Sequence, residues 1–457
     1  MAQQAYDLLV IGAGAAGSAA VSAVDKGKWR VGLVERNILG GTCLNYCCDP
    51  TKTMIHIAHL LYSAHHANRF GLRIPQATFD WQAILDEVQQ VITRMRGGTL
   101  EEAREQLVNE GVDLLHGDAR FISPHEVAVA GQTITAERIL IATGCETMVP
   151  PVEGMQEAGF ITNVQAVSLS KLPRRLAVVG GGAIGIEFAQ MFSRFGVTIT
   201  VLERSPNILD TEDRELVEQV CQFLTDQGIR LETNAELKRV QQDDDGKHLT
   251  VKCGESEEEQ LVVDEVLMAV GRKPSLDSLN LEAAGVQTGK KGISVDDTLR
   301  TNVPHIWAAG DVTGGLQFTH AASEQGKLVA HNAFSSEPKP FDDRVIPWIT
   351  FTDPPLAHVG KTEDELREDS VEYRVAKAPF SDNERAITLG ETEGLVKLLV
   401  DPKGMILGGH ILGARADELL ATITFAMHAN VPVSELASTI MAYPTMAEAL
   451  RLAAQEV

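Results

Sequence analysis

Short apolar runs alternate with helix-like stretches over the first two thirds of the chain. Residues 6–11 form an apolar run, an Ala/Ser-rich helical stretch follows, and a second apolar run spans residues 31–34. The same order of strand, helix and strand returns at residues 176–179 and 198–202. Strands that alternate with helices in this way are typical of α/β folds with parallel sheets. We therefore expect two strand–helix–strand units of the same kind.

Between the two units, the apolar spacing predicts two long helices, over residues 53–69 and 81–109. His56 and His59 lie one turn apart on the first helix, so a metal site and a packed helix face both remain open as explanations. Three short strand patterns complete this region, at residues 112–115, 126–129 and 138–141.

Polar turns and further strands follow the second unit. Residues 243–246 predict a hairpin turn, and residues 255–259 predict an acidic loop. From about residue 340, strand patterns at 348–351, 395–400 and 408–412 precede helices near 416–429 and 432–438 and a terminal helix. We expect this last part to be a separate α+β domain.

The predicted fold class is therefore α/β, with two Rossmann-like dinucleotide-binding domains and a C-terminal α+β domain. A chain of 457 residues is long enough for two to four domains. Pro150 and Pro151 support a boundary after the first of them. The predicted segments are 1–148 for the first unit, 149–270 for the second, 271–340 for a central segment and 341–457 for the C-terminal domain.

Each unit carries a Gly-x-Gly-x-x-Gly signature before its helix and an acid at the end of its second strand. The glycines allow a pyrophosphate to approach the helix N-terminus, and the acid can accept a hydrogen bond from a ribose hydroxyl. We therefore predict two dinucleotide sites in one chain, so that one cofactor can reduce the other. The residues are Gly12, Gly14, Gly17 and Glu35 in the first unit, and Gly180, Gly182, Gly185 and Glu203 in the second.

Three of the six cysteines lie within six residues, at Cys43, Cys47 and Cys48. In a chain without signs of secretion, clustered cysteines are more often catalytic or metal-binding than structural. Because the cluster follows the first dinucleotide unit directly, we expect a redox pair next to a bound cofactor. The other cysteines stand alone and are predicted to be inert thiols; they are Cys145, Cys221 and Cys253.

Charge and hydropathy narrow the classes of partner. The net charge of −23 argues against nucleic acid and anionic membranes, since either partner requires a basic face. No apolar run is long enough to span a bilayer. A strand pattern begins within the first several residues and leaves no room for a targeting peptide, so we expect a cytoplasmic protein.

Together these features closely resemble the flavoprotein disulfide reductases, the group that includes dihydrolipoamide dehydrogenase, glutathione reductase and mercuric reductase. The resemblance covers essentially the whole chain, and the Gly-Gly-Thr-Cys-x-Asn-x-x-Cys-x-Pro-Thr-Lys segment at residues 40–52 carries it most specifically. It implies a homodimer formed through the C-terminal domain and a central segment that completes the FAD domain. It also implies FAD at the first unit and NADH or NADPH at the second, with Gly41, Thr42, Thr143, Gly144, Gly271, Gly310 and Asp311 as further cofactor-binding residues.

The resemblance also implies the route of the electrons. Cys48 is then the thiol beside the flavin, and Cys43 is the interchange thiol that meets substrate. Lys52 lies near the flavin and pairs with Glu187. Hydride passes from nicotinamide to flavin, the reduced flavin opens the Cys43–Cys48 disulfide, and the resulting dithiol reduces a disulfide or a thiophilic metal ion. Glu203 favours NADH over NADPH, although Arg204 beside it weakens that preference.

The chain departs from the family pattern at positions that bear on the substrate. Tyr443 stands where the family usually has a histidine that acts as acid/base, while the carboxylate of Glu448 is retained. A phenol with an ordinary pKa of about 10 does not easily take a thiol proton near neutrality. Mercuric reductase has a tyrosine at this position, but the chain lacks the vicinal cysteine pair with which mercuric reductases usually end.

Two further departures lie inside the cysteine segment. Cys47 replaces a glycine and Asp49 replaces an apolar residue of the family. Cys43 and Cys47 would share a face of an ideal helix, so a Cys43–Cys47 pair competes with the Cys43–Cys48 pair. Asp49 is expected to raise the pKa of the neighbouring thiols.

These observations leave three functions open. The first is an FAD-dependent NAD(P)H oxidoreductase that reduces a soft metal ion in the manner of mercuric reductase. The second is an NADH-dependent disulfide reductase of the dihydrolipoamide dehydrogenase type, and the third is a flavin-containing redox sensor or metal-binding protein. No resident metal ligand is assigned. The predicted catalytic residues are Cys43, Cys48, Lys52, Glu187, Tyr443 and Glu448.

Overall fold

The computed structural model describes residues 4–457 of the chain. Its strands are β1 (Gln4–Tyr6), β2 (Leu8–Ile11), β3 (Val31–Glu35), β4 (Val112–His116), β5 (Ala119–Ser123), β6 (Glu126–Val129), β7 (Gln132–Ala136), β8 (Ile139–Ile141), β9 (Cys145–Thr147), β10 (Arg175–Val179), β11 (Thr198–Leu202), β12 (Arg230–Glu232), β13 (Ala235–Asp243), β14 (Gly246–Cys253), β15 (Glu258–Val263), β16 (Glu265–Met268), β17 (Arg272–Pro274), β18 (Ile306–Ala308), β19 (Trp348–Thr350), β20 (Leu356–Gly360), β21 (Arg374–Pro379), β22 (Leu395–Val400) and β23 (Ile406–Leu412).

The α-helices follow in the same chain order. They are α1 (Ala15–Ala23), α2 (Gly41–Tyr46), α3 (Cys48–His65), α4 (Trp81–Arg96), α5 (Leu100–Asn109), α6 (Met155–Ala158), α7 (Asn163–Ala166), α8 (Ala183–Arg194), α9 (Arg214–Asp226), α10 (Leu281–Ala284), α11 (Thr319–Asn332), α12 (Glu363–Glu368), α13 (Glu384–Leu389), α14 (Ala416–His428), α15 (Val433–Ser438) and α16 (Glu448–Gln455). Short 3-10 helices span Ala67–Phe70, Asp311–Thr313 and Phe380–Asp382.

The first unit is built on a five-stranded parallel sheet in the order β18-β8-β2-β3-β4. Its central strand, β2, is buried along its whole length, as expected for a parallel sheet that is covered on both faces. The outer strand β18 comes from the central segment of the chain and pairs with β8. Helices α1 and α11 pack closely against each other at Gly326. A Cβ at this position would lie only 2.0 Å from the Ala16 carbonyl oxygen.

The second unit repeats this construction in a four-stranded parallel sheet, in the order β12-β11-β10-β16. An antiparallel sheet of β13, β14 and β15 is attached to it. Asp243 pairs with Gly246 at the end of the β13–β14 hairpin, so the predicted turn is confirmed. The predicted acidic loop at residues 255–259 is shorter than expected, because Glu258 and Glu259 belong to β15.

The prediction of one helix over residues 81–109 is wrong, because the structure has the two helices α4 and α5. Gly97 ends α4 in the left-handed conformation, with φ 87°. Thr99 then caps α5, accepting a hydrogen bond from the backbone N–H of Glu102 while the Glu102 side chain accepts from the Thr99 backbone. The pair of glycines before Thr99 was the sequence signal for this break.

The C-terminal domain is an antiparallel sheet in the order β19-β20-β23-β22-β21, covered by α14, α15 and α16. The predicted α+β domain is therefore confirmed, and the whole fold is α/β with this domain appended. In the described part of the chain, no helix is long and apolar enough to cross a membrane.

A buried row of basic side chains crosses this C-terminal sheet. His358, His410 and Lys397 lie directly opposite one another on three adjacent strands and are at most 1% exposed. The Lys397 ammonium donates to both carboxylate oxygens of Asp213, at 2.9 and 2.8 Å, and to Glu215 at 3.0 Å. Both acids lie at the start of α9, so this contact joins the C-terminal domain to the second unit.

Candidate active site

Two glycine turns with the same geometry lie at the carboxyl ends of the two parallel sheets. Gly12 and Gly180 have φ values of 107° and 113°, which only glycine adopts without strain. A Cβ on Gly12 would lie 2.4 Å from the Ala142 carbonyl oxygen, and a Cβ on Gly180 would lie 2.3 Å from that of Ala269. Each turn therefore packs its backbone against the neighbouring strand, which brings the following helix close to the sheet edge.

The last glycines of the two signatures are equally crowded, whereas the middle glycines face free space. A Cβ on Gly17 would lie 1.8 Å from the Gly12 carbonyl oxygen, and a Cβ on Gly185 would lie 2.0 Å from the Gly180 carbonyl oxygen. At Gly182 no atom lies within 4 Å, and at Gly14 only the Gly41 Cα comes that near, at 3.9 Å. The space before the N-termini of α1 and α8 is thus open to a phosphate group.

The acids at the strand ends also occupy equivalent positions. Glu35 accepts hydrogen bonds from the backbone N–H groups of Ala13 at 2.9 Å and Asn37 at 2.7 Å. Glu203 accepts from the N–H groups of Gly181 and Ser205, both at 2.6 Å. Each carboxylate is therefore held beside its glycine turn, where a bound ribose would lie.

Both glycine turns and the cysteine segment line one cavity of about 1250 Å³. Of the predicted site residues, those that line it are Gly14, Thr42, Cys43, Cys48, Lys52, Gly144, Gly180, Gly182, Glu187, Glu203, Gly271, Gly310 and Asp311. Gly12 and Thr143 lie in loops beside it, and Gly17, Gly41 and Gly185 lie in the first turns of α1, α2 and α8. A Cβ on Gly41 would lie 2.6 Å from the Gly14 Cα, so the cysteine segment packs directly on the first glycine turn.

The cysteine segment is a helix that is interrupted at Cys47. Helix α2 ends at Tyr46, Cys47 adopts φ −139° and ψ −96°, and α3 begins at Cys48. This break is the irregular backbone that a contact between Cys43 and Cys48 requires. All three thiols are free, and those of Cys43 and Cys47 lie close enough to Cys48 to influence its pKa.

Cys48 is the thiol that carries the negative charge most readily. Hydrogen bonds from Cys43 and Cys47 lower its pKa, and Thr319 and Lys52 lower it further. The Thr319 hydroxyl lies 3.6 Å from the Cys48 sulfur. The same contact with Cys48, together with burial, raises the pKa of Cys43. The arrangement therefore stabilises a thiolate at Cys48 and a neutral thiol at Cys43.

Lys52 is held by a buried acid from the second unit. Its ammonium donates to Glu187 at 2.7 Å, and Glu187 is only 5% exposed. The other Glu187 oxygen accepts from the backbone N–H of Phe351 at 2.9 Å. Burial disfavours the charged lysine, but Glu187 more than offsets this and raises the pKa of Lys52. This contact joins the cysteine segment, the second unit and the C-terminal domain.

Asp311 has two partners that the sequence did not indicate. The Cys145 thiol donates to its Oδ2 at 2.9 Å, and the Arg272 guanidinium lies 3.0 Å from the same oxygen. Cys145 is buried, and burial raises its pKa, in line with the predicted inert thiol, although its contact with Asp311 was not expected. The antiparallel pairing of β9 with β17 brings Cys145 and Arg272 together, although 127 positions separate them in the sequence.

Tyr443 and Glu448 lie away from the cavity lining of their own chain. Tyr443 is 71% exposed, and its hydroxyl donates to Glu384. That hydrogen bond raises the pKa of the phenol, and the charges of Glu384 and Glu448 act in the same direction. Glu448 accepts from the backbone N–H of Thr445 at 3.1 Å. Their catalytic role at a cysteine pair therefore stays a prediction.

Other predicted features have structural explanations. His59 lies 2.7 Å from Asp353, and Arg194 lies 2.8 Å from the same carboxylate. The face of α3 that carries His59 therefore packs against Asp353 and Arg194, which favours the packed-face explanation. Among residues 4–457, no three histidine, cysteine or acidic side chains are grouped so that they could hold a metal ion.

Comparison with known families matches nearly the whole chain. Residues 6–326 match the family described as pyridine nucleotide-disulphide oxidoreductase, and residues 346–454 match the dimerisation domain of the same family. The chain belongs to the pyridine nucleotide-disulphide oxidoreductases. Members of this family use FAD and pyridine nucleotides, and the dimerisation domain indicates a homodimer.

Relatives within this family differ in the substrate that their names state. The chain is 37% identical to a mercuric reductase of Staphylococcus aureus, over 98% of this chain and 82% of that protein. It is 34% identical to a dihydrolipoyl dehydrogenase of Bacillus subtilis (strain 168), over 97% and 96% of the two chains. A solved structure described as the Cu(II) complex of the HOCl-induced flavoprotein disulfide reductase RclA from Escherichia coli superposes with a TM-score of 0.88, at 32% identity, and covers 100% of this chain and 99% of that one.

The residues of the oxidoreductase cavity fit FAD and a second dinucleotide. The free space at Gly14 and Gly182 leaves room for two pyrophosphates. Cys145 and Arg272 both contact Oδ2 of Asp311, which leaves Oδ1 available to accept from a polyol hydroxyl. Bound FAD would supply two-electron chemistry between a reduced nucleotide and the thiols. The chain itself supplies the turns, the acids and the thiol pair.

Matched alanine substitutions in the two turns should separate the two cofactors. Gly12→Ala should abolish retention of FAD, because a Cβ there meets the Ala142 carbonyl at a positive φ. Gly180→Ala should retain flavin but raise the KM for NADH at least about tenfold, a loss of about 1.4 kcal/mol. The readouts are the flavin absorbance of the purified protein and steady-state kinetics.

Gly228→Ala is the control for these variants. Gly228 also has a positive φ, of 83°, but no atom lies within 4 Å of the position that a Cβ would take, so the control carries backbone strain without a clash. It should cost roughly 1 kcal/mol of stability and leave both cofactor sites intact. Flavin loss in the control to the same extent as in Gly12→Ala would contradict the steric explanation.

Proposed function

We propose that the protein is an FAD-dependent NAD(P)H oxidoreductase whose Cys43 and Cys48 thiols deliver two electrons to a soft metal ion. The observation that carries the proposal is the hydrogen bond and raised pKa of Tyr443, at the position where the family usually has a histidine. Its phenol donates to Glu384 and has a raised pKa, so it is a poor acceptor for the proton that a disulfide substrate requires the enzyme to move. Soft metal ions prefer thiolate ligands and need no such base.

Within the proposal, protons and electrons balance without an additional reactant. Two thiols bind a divalent ion such as Hg(II) and release two protons. The ion then takes two electrons, and the two sulfur atoms join as a disulfide. NAD(P)H and one proton restore the dithiol, so the net reaction consumes one NAD(P)H and one metal ion and releases one proton. The low pKa of Cys48 supplies the first thiolate.

We propose NADH as the preferred reductant. The Glu203 carboxylate is fixed by Gly181 and Ser205 at the point where the ribose of the second dinucleotide would lie. A 2′-phosphate would meet this negative charge, whereas a 2′-hydroxyl could donate to it. Arg204 is exposed and does not share these backbone contacts.

A disulfide reductase of the dihydrolipoamide dehydrogenase type is the second candidate. It is favoured by the 34% identity to dihydrolipoyl dehydrogenase and by the retained Glu448. In that case Glu448 or water would have to replace the histidine that is missing at position 443. The Glu448 carboxylate is engaged with the Thr445 backbone, which supports this candidate less well.

The acceptor is tested by following NADH oxidation by the holoenzyme with Hg(II) in excess thiol, with Cu(II), of which one NADH reduces two ions to Cu(I), and with oxidised lipoamide. Turnover with either metal ion at least about tenfold above that with lipoamide is expected. Tyr443→His should raise lipoamide turnover, since it restores an acid/base with an ordinary pKa of about 6.5. Turnover with lipoamide alone would refute metal reduction, and no turnover with any acceptor would favour a sensor or binding role.

A further inference from the structure

The three clustered thiols face two different electrostatic environments. Cys48 and burial raise the pKa of Cys47, and the charges of Lys52 and Arg272 act against this. Cys48 and burial also raise the pKa of Cys43, and the carboxylate of Asp49, which lines the same cavity, adds to this. Cys48 interacts with both other thiols, and all three line the cavity together with Asp49, Lys52 and Arg272. The charges of the nearby cations therefore act on Cys47, and the charge of Asp49 acts on Cys43.

The two cations near the thiols are each neutralised by a buried acid. Lys52 is paired with Glu187 at 2.7 Å, and Arg272 is paired with Asp311 at 3.0 Å. Asp49 also lines the cavity, but within residues 4–457 it has no cationic partner within 4 Å. Its carboxylate interacts with Cys48 and only at longer range with Lys52. Of these three charged groups, only the Asp49 carboxylate is left without an ion-pair partner among the described residues.

We propose that Asp49 selects the substrate of Cys43 by charge, favouring cationic acceptors and disfavouring anionic ones. The inference rests on the proposed role of Cys43 as the thiol that meets the acceptor. An unpaired carboxylate in a partly enclosed cavity is weakly screened, so it raises the local concentration of a cation and lowers that of an anion. A metal cation meets this preference, whereas a negatively charged disulfide such as oxidised glutathione does not.

Asp49 lies in the first turn of α3, and this position stabilises its negative charge. A carboxylate at a helix N-terminus is stabilised by the helix dipole, which offsets part of its burial. Burial still raises the pKa of Asp49 above its ordinary value. Measurements at about pH 8 lie several units above that ordinary carboxylate pKa and keep the charge present.

The preference is tested by labelling reduced holoenzyme with two thiol reagents that carry the same reactive group and opposite charge, and by comparing the ratio of their rates between variants. The probes are the cationic trimethylammonioethyl and the anionic sulfonatoethyl methanethiosulfonate, with modification of Cys43 quantified by peptide mass spectrometry. Asp49→Asn keeps the shape of the side chain and removes its charge. It should slow the cationic reagent about fivefold and accelerate the anionic one about fivefold, and about 0.5 M salt should reduce both effects.

The control is Asp343→Asn, which removes the same charge from an exposed position outside the cavity lining. Its labelling rates should match those of the unmodified protein. An unchanged ratio of cationic to anionic rates in Asp49→Asn overturns the inference, whether or not metal ions are reduced. A ratio that shifts in Asp49→Asn alone supports it. Because labelling needs no turnover, a failure of metal reduction in the separate NADH assay would affect only the proposed function.

Discussion

Cys48→Ser is expected to reduce NADH oxidation with every acceptor by at least about a thousandfold. Cys48 is the thiol with the lowered pKa, and its interactions with Cys43 and Cys47 are the largest causes of that lowering. A serine hydroxyl can neither form a disulfide nor provide a thiolate near neutrality, so the pair loses its electron-carrying function rather than a fraction of it. The measurement is steady-state NADH consumption with Hg(II), Cu(II) and lipoamide.

Two comparisons make this result specific. Cys221→Ser changes a half-buried thiol on α9, outside the cavity lining, and should leave turnover within about twofold, as expected for substitutions away from a site. Cys47→Ser should lower turnover much less than Cys48→Ser, because it retains a hydrogen-bond donor to Cys48. If Cys47→Ser is as inactive as Cys48→Ser, the working pair includes Cys47.

Lys397→Met is expected to destabilise the protein by about 3–5 kcal/mol, because it leaves the carboxylate of Asp213 buried without its cation. Both Asp213 oxygens accept from Lys397, and the two side chains are 2% and 1% exposed. Methionine retains most of the side-chain volume, so the effect isolates the lost charge. The measurement is the shift in urea midpoint of the transition that exposes the interface between the C-terminal domain and the second unit.

Lys377→Met is the matched control, since Lys377 pairs with Glu215 at the same interface but both side chains are about two fifths exposed. It should cost less than about 1 kcal/mol, as exposed ion pairs do. Adding Asp213→Asn to Lys397→Met removes the uncompensated charge and should recover part of the loss. Equal destabilisation by the two lysine variants would contradict the importance of burial.

Much of the fold could be predicted because short-range rules decide it. The two parallel units, the β13–β14 hairpin and the C-terminal α+β domain follow from apolar spacing and turn residues. The errors arose where local signals compete. The periodicity over residues 81–109 outweighed the two glycines and the Thr99 capping box that divide this stretch. In the acidic stretch, charge suggested a loop, but pairing with β14 extends β15 to Glu258.

The sequence by itself determined which chemistry the chain carries. Glycine spacing, the acid after each unit and three clustered cysteines depend on neighbours within about two dozen positions, where chain connectivity limits the possible geometry. The tertiary structure alone decided what surrounds them. Thr319 reaches Cys48 across 271 positions, and Cys145 reaches Asp311 across 166. Such partners depend on how separate sheets and helices pack, and no local pattern in the chain encodes that packing.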